Sequence, residues 1–264
     1  QKINILLFYK FTEMEIIKEQ PMFSIVTVTY NCCNSIRETI ESVLNQTYRN
    51  YEYLIIDGQS SDGTLNVIKE YNDPLISYTS EKDSGIYDAM NKGILKASGR
   101  WLLFLNSGDV FTDNQVLEKV EIHAKNGMYD ILYGDIFVNK KKIWEIKKAA
   151  EPCNKQRMFF CHQSSFTRTE IMKSQLFDSS YSMSADLLFF KQCYYKGLKF
   201  YHIPIPIVKY DSNGISNTNR IAGLKENIDL IKAVDKFPFK YLFLARLQFV
   251  IFRIQLSNVL KTLF

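Results

Sequence analysis

The chain has 264 residues, is 46% hydrophobic and 23% charged, and carries a formal net charge of +5. That length and composition fit one large globular domain, with or without an appendage, and exclude a disordered, collagenous or disulfide-dense chain. The charge excess is too small to point to nucleic acid, and it suits an anionic ligand or an anionic membrane surface.

Cys32, Cys33, Cys153, Cys161 and Cys193 show neither metal-ligand spacing nor a disulfide framework, and they read as reduced thiols. Residues 1–21 read as an extension without a catalytic role. Their apolar patch at 3–8 is followed by Glu13, Glu15 and Glu19 with no small-residue cleavage site, so it does not read as a signal peptide. The chain opens on Gln1, which makes Met14 and Met22 candidate initiators.

Residues 23–29 are rich in β-branched side chains and stop at Tyr30-Asn31, a strand followed by a loop. Residues 35–44 predict a helix with Ile36, Ile40, Val43 and Leu44 on one face. Strands are expected at 53–56, 76–79 and 101–105, with helices at 64–71 and 87–97 between them. This alternation predicts an α/β fold with a mostly parallel sheet covered by helices on both faces. Ligands of such sheets bind beyond the carboxyl ends of the strands.

The residues after the strands are therefore the candidates. They are Thr29, Tyr30 and Asn31; then Asp57, Gly58 and the run to Thr64; then Asp83, Ser84 and Gly85; then Asn106, Ser107, Gly108 and Asp109. Glycines admit close backbone approach, and carboxylates bind a base edge, a ribose or a metal. Singly, each has a simpler reading: Asp62 caps the next helix, Asp57-Gly58 makes a turn, and Asp109 caps the next element. Four such groups on one edge argue for a ligand site.

In the second half, residues 128–138 predict a further strand containing Tyr133-Gly134-Asp135. Lys140, Lys141, Lys142, Lys147 and Lys148 around Trp144 read as a solvated run. By itself His162 reads as a buried structural histidine. Asp186 opens an element at 187–196, where a carboxylate either caps a helix or does chemistry. Residues 240–264 place Arg246, Arg253, Ser257 and Lys261 on one narrow polar stripe of a helix. Two arginines make insertion across a bilayer costly, roughly 2.5–3.5 kcal/mol each, so the segment reads either as an interfacial amphipathic helix or as a helix packed on protein.

The strings Phe23-Ser-Ile-Val-Thr-Val-Thr-Tyr-Asn31, Ile55-Ile-Asp-Gly-Gln-Ser-Ser-Asp-Gly-Thr64 and Leu105-Asn-Ser-Gly-Asp109 together resemble glycosyltransferase family 2. The stretch Asp83-Ser-Gly-Ile-Tyr-Asp-Ala-Met-Asn-Lys-Gly93 is similar to a branch found in colanic-acid and O-antigen clusters. The resemblance covers about residues 23–219. It implies a GT-A fold over residues 22–220, with residues 221–264 as a helical extension, and an inverting transfer of sugar from a nucleotide-diphospho-sugar. It also implies that Thr29, Tyr30, Asn31, Asp57, Gly58, Asp83, Lys92, Asn106, Ser107, Gly108, His162 and Gln163 bind the UDP- or GDP-linked donor. Asp186 is then the catalytic base, and Asp109 holds Mg²⁺ or Mn²⁺. The family's Asp-X-Asp motif reads Asn106-Ser107-Gly108-Asp109 here, with one carboxylate kept. Residues 203–210 and 213–219 resemble the family's loop over the donor diphosphate. The acceptor implied is a saccharide, lipid-linked, at the cytoplasmic face of the plasma membrane, with no nucleic acid partner. Two other classes compete with this reading. One is a nucleotide-sugar binding protein that has lost catalysis, motivated by the reduced motif. The other is a dinucleotide oxidoreductase, which the missing G-x-G-x-x-G turn disfavours.

Overall fold

The computed structural model of the chain describes residues 20–140, 143–153, 159–210 and 220–263, with backbone alone for residue 140 and residues 258–263. Its first half alternates β1 (Phe23–Thr29), α1 (Ile36–Leu44), β2 (Tyr51–Asp57), α2 (Thr64–Lys69), β3 (Ile76–Ser80), α3 (Ile86–Lys96) and β4 (Trp101–Phe104). The four strands pair in parallel in the order β3-β2-β1-β4, as the alternation predicts.

β1, β2 and β4 are apolar almost throughout because both faces of the sheet are covered. Phe23, Ile25, Tyr53, Ile55, Trp101 and Leu103 pack on one side with Ile36, Ile40 and Val43 of α1. Val26, Leu54, Ile56, Leu102 and Phe104 point the other way, onto Met90 and Ile94 of α3. Each such side chain removed from water contributes on the order of 1.5–3 kcal/mol. Gly93 lets α3 approach β1 closely, since a Cβ there would lie 2.5 Å from Val26 Cγ1.

The second half adds β5 (Val110–Phe111), α4 (Val116–Ala124), β6 (Ile131–Lys140), β7 (Ile143–Lys147), a 3₁₀ turn (His162–Ser164), β8 (Ser165–Arg168), α5 (Thr169–Ser174), α6 (Ala185–Tyr195), β9 (Phe200–Tyr210), α7 (Arg220–Val234) and α8 (Phe239–Leu263). Here the sheet becomes mixed. β8 runs antiparallel to both β4 and β6, while β9 lies parallel to β6 and antiparallel to β5. One expectation is corrected: residues 203–210 are not a loop but part of β9, whose Ile203, Ile207 and Val208 are buried. Residues 1–19, Lys141, Lys142 and 213–219 lie outside the described residues.

α7 and α8 are tied back to the sheet domain. Leu230 packs on Leu187 and Leu188 of α6, and Ile228 and Ile231 pack on Phe243 and Leu247 of α8. The Glu226 carboxylate accepts the backbone amides of Ser182 and Met183 at 2.6 and 2.8 Å, holding the segment that leads into α6.

Candidate functional site

The carboxyl edge of the parallel strands gathers the candidates by register. Thr29 pairs with Asp57, and Asp57 with Ser80. The Asp57 carboxylate is buried and fixed by three donors: the Ser60 hydroxyl at 2.5 Å, the Ser60 amide at 3.1 Å and the Ser80 hydroxyl at 2.6 Å. Gly58 lies directly beneath Asp83, for a Cβ on it would sit 2.3 Å from Asp83 Oδ2 and 3.3 Å from Tyr30 Cδ2. Without that Cβ, the second carboxylate and the aromatic ring close over the β2 backbone. The Tyr30 ring is 63% exposed on this rim.

Asn31 and Gln59 both adopt left-handed backbone, with φ of 52° and 63°. Asn31 recovers that cost by cross-linking two loops: its amide donates to Ser60 Oγ at 2.8 Å and its Oδ1 accepts the Ser61 amide at 2.9 Å. Asp62 is not the N-cap of α2, which is Gly63, but it braces the start of that helix from one residue before it. It accepts the Thr64 amide and hydroxyl at the entrance of α2, and also the Cys33 amide.

The turn after β4 completes the edge. Thr29 Oγ1 stands 3.4 Å from Ser107 Oγ. The Thr39 hydroxyl of α1 accepts the Gly108 amide and donates to the Asp109 carbonyl, both at 2.9 Å. Asp109 is 3% exposed. Among the described residues no group of three His, Cys, Asp or Glu side chains is gathered around a common point. One carboxylate on a turn makes no closed cage; it fits an ion whose remaining ligands are diphosphate oxygens and water.

Two binding candidates have structural partners of their own. The Lys92 ammonium donates to the Lys82 carbonyl at 2.7 Å and lies 3.5 Å from Glu81 and 3.6 Å from Asp88, so it braces the loop that carries Asp83. Gln163 is buried, and its Oε1 accepts the Cys161 thiol at 2.6 Å. Burial, with the nearby charge of Asp109, pushes that thiol up to about 12, which removes it as a nucleophile at neutral pH.

Asp186, in the first turn of α6, is 5% exposed. Tyr87 donates its hydroxyl to Oδ1 at 2.8 Å, and His162 Nδ1 meets Oδ2 at 2.9 Å. Burial pushes the carboxyl up, but the His162 ring, the Tyr87 hydroxyl and the Leu187 amide outweigh it, and Asp186 titrates below the ordinary carboxylate range. Burial and the Asp186 charge drive the Tyr87 hydroxyl well above its usual value, so Tyr87 remains a donor. His162 Nε2 in turn lies 3.4 Å from Asn106 Nδ2, which links α6 to the β4 turn.

Sequence reasoning assigned no role to Tyr87, although it sits inside the quoted motif on the apolar face of α3. It also missed His202, whose Nε2 lies 2.8 Å from the buried Asp135 carboxylate and whose ring stacks on Tyr133. A single histidine within a strand carries no local signal of such a pair.

The sequence profile described as "Glycosyl transferase family 2" matches residues 24–196, the span that builds this edge. The chain belongs to that family. Among curated glycosyltransferases, a "PGL/p-HBAD biosynthesis glycosyltransferase" of Mycobacterium bovis is 27% identical over 217 residues, covering 79% of this chain and 80% of the relative. The Escherichia coli enzyme "UDP-Glc:alpha-D-GlcNAc-diphosphoundecaprenol beta-1,3-glucosyltransferase WfgD" is 35% identical over 126 residues, covering 45% and 50%. Solved structures similar in fold include S. aureus TarS 1-349 in complex with UDP-GlcNAc (TM-score 0.66, 17% identity, 86% of this chain and 71% of that one). Mannosyltransferase PcManGT from Pyrobaculum calidifontis in complex with GDP-Man and Mn²⁺ is another (TM-score 0.64, 14% identity, 92% and 76%). This glycosyltransferase therefore has the GT-A fold that its motifs implied.

Proposed function

We propose that this glycosyltransferase moves one sugar, with inversion, from a UDP- or GDP-linked donor onto a saccharide carried on a lipid, in the synthesis of a bacterial surface polysaccharide or glycolipid. The observation that carries the reading is the buried Asp186 carboxylate, held by Tyr87 and His162 and linked through Asn106 to the edge where Thr29, Asp57 and Asp83 converge. A direct displacement needs the acceptor hydroxyl deprotonated on one face of the sugar while charge on the leaving diphosphate is stabilised on the other.

On this reading Tyr30, Asp57, Gly58 and Asp83 receive the nucleoside, with Thr29, Asn31 and Lys92 shaping their loops. Ser107 and Gly108 face the diphosphate, and Gln163 supports the turn that carries His162. Asp109 is the residue that would hold Mg²⁺ or Mn²⁺, which supplies positive charge to the leaving diphosphate. Asp186 is the general base that takes the proton of the acceptor hydroxyl. Residues 22–220 form the transferase unit and 221–264 its helical extension. The relative acting on a diphosphoundecaprenol-linked sugar, and the neighbours bound to UDP-GlcNAc and GDP-Man, support these choices of acceptor and donor.

A lipid-linked acceptor makes peripheral attachment at the cytoplasmic membrane face part of the same reading. Among the described residues no helix is long and apolar enough to cross a membrane. α8 instead has two apolar faces. Phe243 and Leu247 are buried on α7, while Tyr241, Leu242, Phe249, Phe252 and Leu256 are exposed beside exposed Arg246 and Arg253. That pattern suits an interfacial helix on anionic lipid.

The test is transfer by purified protein from a panel of UDP- and GDP-sugars to diphosphoundecaprenol-linked GlcNAc, with NMR assignment of the new anomeric centre. Asp186→Asn is expected to abolish transfer while donor affinity stays nearly intact. Donor binding without turnover by the wild-type protein would favour a binding protein, and a retained anomeric configuration would overturn the displacement.

A further inference from the structure

We infer that Tyr87 and Asn91 of α3 are positioning residues for the base Asp186, on a stripe of the helix separate from the one, Asp88 and Lys92, that holds the donor loop. The inference rests on the transferase reading above and names two residues that act within it.

The start of α6 is not fixed by its own sequence. Its N-cap, Ser184, makes no side-chain capping bond, so the place of Asp186 two residues later depends on contacts from other elements. Tyr87 supplies one of them. It is buried, its hydroxyl donates to Asp186 Oδ1 at 2.8 Å, and its ring centroid lies 5.4 Å from that of Phe177. Asn91, one turn further along α3, supplies a second. Its Nδ2 donates to the Phe177 carbonyl and its Oδ1 accepts the Phe177 amide, both at 2.9 Å. Opposed bonds to the amide and carbonyl of one residue fix where the chain lies and how it is turned. Phe177 in turn packs on Phe189, one turn after Asp186 on α6, with ring centroids 5.5 Å apart. α3 therefore grips the base directly through Tyr87, and through Asn91 it grips the segment that leads to it.

Asp88 and Lys92 are also one turn apart, displaced by roughly 100° around the helix from Tyr87 and Asn91. Asp88 Oδ2 accepts the Ser84 amide at 2.9 Å, and Lys92 donates to the Lys82 carbonyl. Between those two anchors sits Asp83, whose Oδ1 accepts the Gly85 amide at 3.0 Å. Gly85, with φ of 129°, turns the chain from that loop into the helix. The remaining face of α3, with Met90, Gly93 and Ile94, lies on the sheet.

One helix thus presents one stripe to the donor loop, a second to the base and a third to the sheet that supports both. A sugar held by its nucleotide reaches the acceptor hydroxyl correctly only if Asp83 and Asp186 keep a set separation. A base displaced by about 1 Å costs on the order of a hundredfold in rate even when the donor still binds.

The test separates turnover from donor binding in the full-length protein. The acceptor is diphosphoundecaprenol-linked GlcNAc, and donor Kd is measured calorimetrically without acceptor. Tyr87→Phe removes the hydroxyl and keeps the ring on Phe177, so folding should persist. Its kcat should fall about 10–100-fold, the worth of one hydrogen bond to a charged group, with donor Kd and melting temperature unchanged. Asn91→Ala should lower kcat in the same way, again without loss of donor affinity. Lys92→Met should do the reverse, raising donor Kd several-fold while kcat at saturating donor stays near the wild-type value. Should Asn91→Ala fail to fold, Tyr87→Phe and Lys92→Met decide the matter between them. Wild-type kcat in Tyr87→Phe would overturn the positioning role. Equal losses of turnover and donor affinity in both variants would overturn the separation into stripes. Wild-type protein without turnover on any donor would refute the transferase reading and this inference with it, whereas an active wild type beside an equally active Tyr87→Phe refutes the inference alone.

Discussion

Lys191 of α6 and Asp235, the residue that follows α7, form a buried ion pair that ties the end of α7 to α6. The ammonium lies 2.6 and 2.7 Å from the two carboxylate oxygens, and each side chain is 1% exposed. The Tyr195 hydroxyl adds a third bond to Asp235 at 3.0 Å. Losing one partner strands the other charge away from water. Asp235→Ala is expected to destabilise the protein by about 3–5 kcal/mol, and a matched Lys191→Met, Asp235→Leu double variant by much less. Urea unfolding of the three proteins checks this; equal losses in single and double variants would mean the pair is not what joins the helices.

Asp57 is the buried anchor of the proposed nucleoside site, and Gly58 leaves room for Asp83 above it. Gly58→Ala should displace Asp83 and Tyr30 and lower donor affinity at least tenfold, while far-UV dichroism stays unchanged. Calorimetric titration with UDP and GDP measures it. Unaltered affinity would show that neither displaced group touches the nucleoside.

A true donor should raise the melting temperature, by the equivalent of about 2.7 kcal/mol at a hundredfold excess over Kd. With Mn²⁺ present the shift should be larger, and Asp109→Ala should remove the metal-dependent part alone. If chelation leaves the wild-type shift untouched, Asp109 is not a metal ligand.

The exposed face of α8 should bind anionic vesicles. Phe249→Ser with Phe252→Ser changes two exposed positions and leaves the contact with α7 in place, so folding should persist while co-sedimentation with phosphatidylglycerol vesicles falls. Binding that survives both changes, or that is equal on zwitterionic vesicles, would argue against this surface.

Asp62 is held below the ordinary carboxylate range by the Thr64 hydroxyl, with the Cys33 amide contributing next. Its folded pKa is depressed, so its stabilisation is complete above the unfolded value of about 3.9 and is lost as pH falls below it. The melting temperatures of wild type and Asp62→Asn should therefore differ at neutral pH and converge in acid. A constant gap across that range would assign the difference to something other than titration.

The parallel half of the fold was legible in the sequence because its strands are covered on both faces. Burial on two sides demands apolar side chains at consecutive positions, and β1, β2 and β4 show that plainly. The loop residues were legible for a related reason: ligand groups of such a sheet must come just after its strands, so Asp57, Asp83 and Asp109 could be picked out from position alone. Residues 203–210 were misread because Pro204 and Pro206 argue locally against a paired strand although Ile203, Ile205 and Ile207 alternate, and the partner β6, which takes up the prolines at irregular register, lies far away in sequence.

The sequence by itself determined the strand edge and the residue types brought to it, since these are set by burial and chain order. Only the tertiary structure decided which side chains meet. Asp186 touches Tyr87, 99 positions earlier, and His162, 24 positions earlier. It also left Lys92 bracing a loop and gave α8 one covered and one exposed apolar face. Such contacts depend on how separate elements pack, and no spacing along the chain encodes which side chain will fill a neighbour's hydrogen-bonding needs.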